Sequence, residues 1–360
     1  MQLPFQPPLE PMLAKLARSI PEGDGWLFEP KWDGFRCIVF CDGDRIELIS
    51  RKLRPLGRYF PELLEPLRSA LPERCVVDGE IVVAGADGNG LDFDALLQRI
   101  HPAESRINRL AAETPATFVA FDLLAVDDTS LLGVPMADRR AALVAALTQN
   151  AAVHVTPATT DRVVAEDWFH RFEGAGLDGV IAKPLDGTYQ PGKRALIKVK
   201  HQRTADCAVA GYRIHKDGRG VGSLLLGLFD AEGDMHSVGV AASFSVKRRA
   251  ELLAELEPQT HDALDGHPWR QWAESDGDVA GTATSGGSRW NAGKDLSFVP
   301  IRMGLVAEVS FGQLEGRRFR HGVGFLHWRP DRTPESCTYD QLDVADPVSF
   351  HDFVTTSTAK

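Results

Sequence analysis

Apolar and polar positions along the chain fall into short runs of two kinds. Runs rich in Val, Ile and Phe, at Arg36 to Phe40, Cys75 to Val83, Thr117 to Leu124 and Gly179 to Ala182, are bounded by Gly, Asp or Pro and predict strands. Between them, Tyr59 to Leu71, Phe93 to Ile100, Ala137 to Leu147 and Ala165 to Glu173 carry apolar residues at helical spacing, the last followed by Gly174 as a C-cap. The two kinds do not alternate as a doubly wound sheet requires, and no G-x-x-x-x-G-K-[ST] or G-x-G-x-x-G stands in a strand-turn-helix context. The first part is therefore expected to be α+β and to hold any nucleotide without a glycine-rich phosphate loop.

Beyond Lys200 the pattern turns strand-like, at Cys207 to Ile214, Ser223 to Phe229, His236 to Ala241 and Gly304 to Phe311, with one helical interruption at Val246 to Leu256. A small β-barrel fits this. The basic, polar stretch His201 to Ala205 separates the two regimes, so residues 1–203 and 204–350 are predicted as two domains, with 351–360 as a flexible tail. Ser275 to Leu296, rich in Gly, Ser, Thr and Asp, has too few apolar residues to fix itself and is expected to be a mobile loop of the second domain.

A length of 360 residues suits two domains, and 43% hydrophobic with 25% charged residues excludes a disordered or fibrous chain. No apolar run reaches the roughly 18 residues of a membrane span, and Met1 to Glu10 lacks the pattern of a secretory signal, so a cytoplasmic protein without membrane partners is expected. The five cysteines are scattered with no C-x-x-C pair, which predicts reduced, buried thiols rather than a disulfide framework or zinc site. A net charge of −10 runs against a nucleic-acid partner. Only the stretch Arg317 to Arg332, with five arginines against the single acid Asp331, offers a local footprint, so binding there should be weak and salt-sensitive.

The chemistry centres on Glu29-Pro30-Lys31-Trp32-Asp33-Gly34-Phe35-Arg36, which sets a lysine just ahead of a predicted strand. A lysine attacks only as the neutral amine, which neighbouring cations favour. K-x-D-G alone is also what a surface turn looks like. Downstream, however, stand Ser50-Arg51, then Val76-Val77-Asp78-Gly79-Glu80, then Phe118-Val119-Ala120-Phe121-Asp122, then Asp178-Gly179-Val180-Ile181-Ala182-Lys183, then Lys198-Val199-Lys200, and finally Arg329-Pro330-Asp331-Arg332. Lys198 and Lys200, two apart on a predicted strand, share a face and are placed to act on Lys31 together. Phe121 also reads as core, and Glu80 and Arg36 as ordinary strand residues.

This ordered series resembles the motif set of the covalent nucleotidyltransferases, and most closely the ATP-dependent DNA ligases: the small stand-alone bacterial LigC type and the ligase module of the end-joining LigD proteins. The resemblance implies an adenylation domain of ATP-grasp-like antiparallel sheets with helices, followed by an OB-fold domain. It implies that Lys31 forms a lysyl-AMP, that Glu29 lies beside the adenine amino group, that Arg36 and Arg51 lie near ribose and phosphate, and that Phe121 stacks on the base. Glu80 would hold the ribose hydroxyl or a metal, Asp178 the metal, and Lys183 would close its strand near the nucleotide. Lys198 and Lys200 would contact the α-phosphate, while Arg329 and Arg332 would orient the departing β- and γ-phosphates. Asp178 stands where glutamate is commoner, and Arg332 where many ligases have lysine. ATP and a divalent metal, Mg²⁺ or Mn²⁺, would be the cofactors, and nicked duplex DNA, with DNA-repair proteins beside it, the partner of a monomeric enzyme of excision repair or end joining. The second domain would swing about the hinge near His201 to Ala205. Two other readings remain: a GTP-dependent capping-type guanylyltransferase, and a non-catalytic OB-type nucleic-acid-binding protein.

Overall fold

The computed structural model describes residues 1–86, 88–171, 177–200, 203–274, 297–312, 314–319, 323–342 and 349–356, the side chains of residues 171, 178, 315 and 356 excepted. The chain divides into two compact units, Met1–His201 with Val344–Lys360, and Gln202–Asp343. The expected mobile loop at 275–296 and the C-cap at Gly174 lie outside the described residues.

In the first unit a six-stranded sheet runs in the order Arg45–Ser50, Phe35–Asp42, Arg74–Val83, Ala116–Val126 and Thr129–Ser130, with Val153–Val155 joined in parallel to Ala116–Val126. Its strands read as unbroken apolar runs because both faces are covered. Cys37, Val39 and Cys41 pack among helix-side residues such as Leu63, Leu67 and Leu143, whereas Ile38 and Phe40 pack with Met12, Tyr189 and Leu196 on the other face. Those last residues belong to or adjoin a four-stranded sheet ordered Leu13–Ala17, Arg194–Val199, Leu177–Pro184 and Trp26–Trp32. The α+β expectation holds. Helices Phe93–Gln98, Met136–Ala146 and Arg162–Arg171 fall close to their predicted positions, Leu64–Ala70 is preceded by two 3₁₀ turns, and helix Glu104–Glu113 was not anticipated.

The second unit explains its own barrel. Its main sheet follows the order Met235–Ala242, Val221–Phe229, Arg203–Ile214, Val306–Phe311 and Gly324–Trp328, all antiparallel. The two edges then meet: Val323 donates its N–H to Val240 and accepts from Ala242, both at 3.3 Å. Such closure removes the exposed edges of an open sheet and is the device of the OB-fold, here with helix Val246–Leu256 between the third and fourth strands. The enclosed core includes Cys207, Val209, Leu224, Leu226, Val238, Ile301 and Val309, together with Trp269. All five cysteines are free and buried.

The tail expected at 351–360 is corrected in part. Phe350–Thr356 is helical, Val354 is fully buried, and the segment packs on the first unit, so the second unit ends before residue 350. Seven residues are too few to show a helical period, so the pattern of apolar positions does not reveal this helix. No helix among the described residues is long and apolar enough to cross a membrane.

Candidate active site

Phe35–Asp42 and Arg74–Val83 pair so that Arg36 stands opposite Glu80 and Ile38 opposite Asp78. Alternation along a strand then sends Arg36, Asp78 and Glu80 to one face, toward the four-stranded sheet. One cavity results within the first unit, lined by Glu29, Lys31, Arg36, Arg51, Glu80, Phe121, Lys183 and Lys198 among the residues named from sequence. Met12, Trp32, Arg194, Ile181 and Leu196 complete much of the remaining wall.

Lys31 stands ahead of the strand Phe35–Asp42 as expected and also lies inside the preceding strand Trp26–Trp32, at the point where pairing with Leu177–Pro184 shifts register between Pro30 and Trp32. Gly34 follows because nothing larger fits: a Cβ there would stand 2.2 Å from the carbonyl oxygen of Ile81 and 2.9 Å from Cγ of Glu80. Gly34→Ala should therefore push the Lys31 turn away from the Glu80 strand and cost at least about 2 kcal/mol, since backbone on both sides cannot yield cheaply. Denaturant unfolding checks this, and a variant as stable as the parent would contradict it.

Arg36 is held by Asp78 through two hydrogen bonds of 2.6 Å, from Nε and Nη2. Burial works against its charge, but the Asp78 carboxylate more than offsets this and holds the guanidinium firmly protonated. Tyr189 donates its hydroxyl to the same carboxylate at 2.6 Å and accepts the Met12 N–H at 2.9 Å. Asp78, Tyr189 and Met12 were not picked out as site residues. The sequence signal was present for Asp78, two positions before Glu80 on one strand face, but its partners lie far along the chain.

Glu29 and Lys183, each 2% exposed, form an ion pair at 2.8 Å, and Lys183 also donates to the carbonyl of Phe121 at 3.0 Å. The other Glu29 oxygen, Oε1, is buried with no hydrogen-bond partner among the described residues. An unsatisfied acceptor of this kind is costly and suits a ligand that brings a donor. Both Arg36 and Lys183 stand over the Phe121 ring, at 4.3 and 4.8 Å from its centroid. Phe121 is thus cavity wall and core at once, 7% exposed within the cluster of Trp32, Val119 and Trp168.

Burial raises the Glu80 carboxyl to about 7, against the pull of Arg36 and then Lys31. A half-buried carboxylate in the cavity wall fits a divalent cation, and Mg²⁺-type sites commonly take one or two carboxylates with substrate phosphates as the other ligands. No cluster of three or more metal-binding side chains occurs among the described residues. Asp178 belongs to the strand Leu177–Pro184, but its side chain lies outside the described residues. Its neighbour Gly179, at φ +115, leaves no room for a Cβ, which would meet the Val199 carbonyl oxygen at 2.0 Å.

Lys198 and Lys200 separate. The strand stops at Val199, so Lys200 does not share the alternation that sets Lys198 into the cavity wall, and it is not among the lining residues. Arg329 and Arg332 lie in the second unit. Arg329 Nη1 donates to both oxygens of Asp206 at 3.0 Å, while its Nε and Nη2 grip Asp331 at 2.9 and 2.7 Å. This contact pulls the Asp331 carboxyl down to about 2. Arg332 stands 3.5 Å from Asp206 and donates to the Ser336 carbonyl at 2.8 Å.

Comparison with known proteins agrees with this geometry. A family model described as ATP dependent DNA ligase domain matches residues 11–200, and one described as ATP dependent DNA ligase C terminal region matches residues 217–332. The chain is 55% identical to DNA ligase C of Mycobacterium tuberculosis over 98% of its own length and 99% of that protein. It is 31% identical to the multifunctional end-joining DNA repair protein LigD of the same species over 86% of its length and 37% of that larger protein. A structure of the Lig E DNA ligases, 17% identical, superposes with a TM-score of 0.52 over 88% of this chain and 99% of that one, a likeness of fold.

Proposed function

The chain belongs to the ATP-dependent DNA ligases, and on that premise we propose that Lys31 is the residue that carries AMP between ATP and DNA. The activity is ATP-dependent sealing of a 5′-phosphate to a 3′-hydroxyl at a nick in duplex DNA, which sets aside both the guanylyltransferase and the non-catalytic reading. The observation that carries the Lys31 assignment is its place in one cavity with the buried Glu29–Lys183 pair, Arg36, Glu80, Phe121 and Lys198.

In the first step the neutral Nζ of Lys31 attacks the α-phosphorus of ATP. A P–N bond forms, the bond to pyrophosphate breaks, and the amine gives up a proton. Lys198 is positioned to stabilise charge on the α-phosphate as it develops. Glu29 Oε1 would accept from the adenine amino group, an interaction guanine, with a carbonyl at that position, does not offer. Phe121 would stack on the base and Arg51 would reach the phosphates. Arg36, tied to Asp78, would serve the ribose side of the cavity. A divalent metal, Mg²⁺ or Mn²⁺, would neutralise phosphate charge when bound, with Glu80 and Asp178 as its protein ligands. In the second step a 5′-phosphate oxygen of the nick displaces Lys31 from AMP, and in the third the 3′-hydroxyl displaces AMP.

Arg329 and Arg332 would orient pyrophosphate as the leaving group in the first step only. Their fork geometry suits that task, and the exchange of Asp206 and Asp331 for phosphate oxygens would accompany a swing of the second unit about the segment near 201–205. Arg329→Ala is expected to cut lysyl-AMP formation by roughly a hundredfold while leaving sealing of a pre-adenylated nick within a few-fold. Equal losses in both assays would contradict an assignment to the first step. The acidic balance of the chain, −10 overall, supports an enzyme that relies on a repair partner for capture of nicks; that it acts as a cytoplasmic monomer is part of the same proposal.

A further inference from the structure

Trp32, the residue after Lys31, lines the cavity yet is only 5% exposed. What covers it comes from the far end of the chain. Phe350 meets its ring edge-on at 5.8 Å, and Phe353 meets it at a tilt, at 6.1 Å. Phe353 also meets Trp168 edge-on at 5.9 Å, Val354 is fully buried, and the Phe350 N–H donates to the Gly88 carbonyl at 3.1 Å. The same apolar cluster includes Phe121, Val82 and Val119, the last paired directly opposite Glu80.

A seven-residue helix does not persist in water by itself, so Phe350–Thr356 is helical because this cluster receives it. The dependence runs the other way as well. Lys31 sits where its strand loses register with its neighbour, so a regular ladder of hydrogen bonds does not set its position. The next residue, Trp32, is held by its indole hydrogen bond to Thr156 Oγ1 at 2.8 Å and by the two phenylalanines.

We propose that helix Phe350–Thr356 is a positioning element of the adenylation site, clamping Trp32 so that Lys31 and the Phe121 wall stand in attacking geometry. The proposal rests on Lys31 being the nucleophile. Phe350, Phe353 and Val354 are not among the residues lining the cavity and would act through the aromatic residues they pack on, Trp32 and Trp168 foremost. A displacement of about an ångström in an attacking group is enough to slow a reaction up to about a hundredfold, so loss of the clamp should appear in the rate and not in ATP affinity.

The test compares the full chain with a chain ending at residue 348 and with Phe353→Ala, using single-turnover labelling from α-labelled ATP and backbone amide exchange. The rate at saturating ATP is expected to fall about tenfold or more, the ATP concentration for half-maximal rate to change by less than about threefold, and Phe353→Leu to recover most of the loss. Exchange in Trp26–Trp32 should rise at least about tenfold while the barrel strand Val221–Phe229 stays unchanged. A helix that merely stabilises would lower the melting temperature and leave the rate at 25 °C intact, and that result overturns the proposal. If the shortened chain does not fold, Phe353→Ala decides: parental rate and parental exchange both reject the clamp. Absence of label on the full chain would instead reject Lys31 as nucleophile, and amide exchange would still read the clamp by itself.

Discussion

Lys31→Ala should abolish covalent labelling from α-labelled ATP, lowering adenylation by roughly three orders of magnitude or more, because it removes the attacking amine itself, and Lys183, another amine of that wall, is tied to Glu29. The fold should persist. Lys31 is half-buried at an irregular strand position, and removal of its side chain opens no core cavity. Sealing of a nick that already carries AMP at its 5′ end should survive, since that step forms no bond to lysine. The experiment is a denaturing gel after incubation with ATP or GTP and a divalent metal. Label from ATP on the parent alone would support the assignment together with the adenine preference argued from Glu29. Label on the variant would sink it.

Asp78→Ala should produce the largest loss of stability. Asp78 is wholly buried and serves two partners, the Arg36 guanidinium and the Tyr189 hydroxyl. Removing one member of such a pair leaves a charge without compensation, at a cost of about 3–5 kcal/mol. For a folded unit of this size that corresponds to a fall in melting temperature on the order of 10 °C. Adenylation should fall as well, because Arg36 faces both the cavity and the Phe121 ring. Calorimetry on the variant is the check, and a shift under about 2 °C would show that the pair contributes little. Asp78→Asn, which keeps an acceptor for Tyr189 and removes the charge, should fall between the two.

Much of the site was legible because its parts are local. Each motif is a few residues on one strand or at one turn, and strand alternation alone places Asp78 with Glu80. What the reading left out was a partner distant in sequence or an element's end. Lys200 was joined to Lys198 by assuming a strand that stops one residue earlier. Arg36 was read for its ligand and not for its clamp, Asp78, which lies 42 positions away. Arg329 was read for its phosphates and not for its partners in the free protein, Asp331 and Asp206, the latter 123 positions back.

The sequence by itself determined which chemistry is present: an ordered set of lysines, carboxylates and arginines, on strands whose residues are apolar enough to be buried on both faces, followed by a barrel. Such features depend on composition and on period, which are properties of neighbours along the chain. Folding settled which side chain neutralises which, left one buried Glu29 oxygen without a partner among the described residues, and brought helix Phe350–Thr356 back to cover Trp32. Those outcomes depend on burial and on distances between segments far apart in sequence, and a helix of seven residues leaves no trace of itself until the surface that stabilises it has been built.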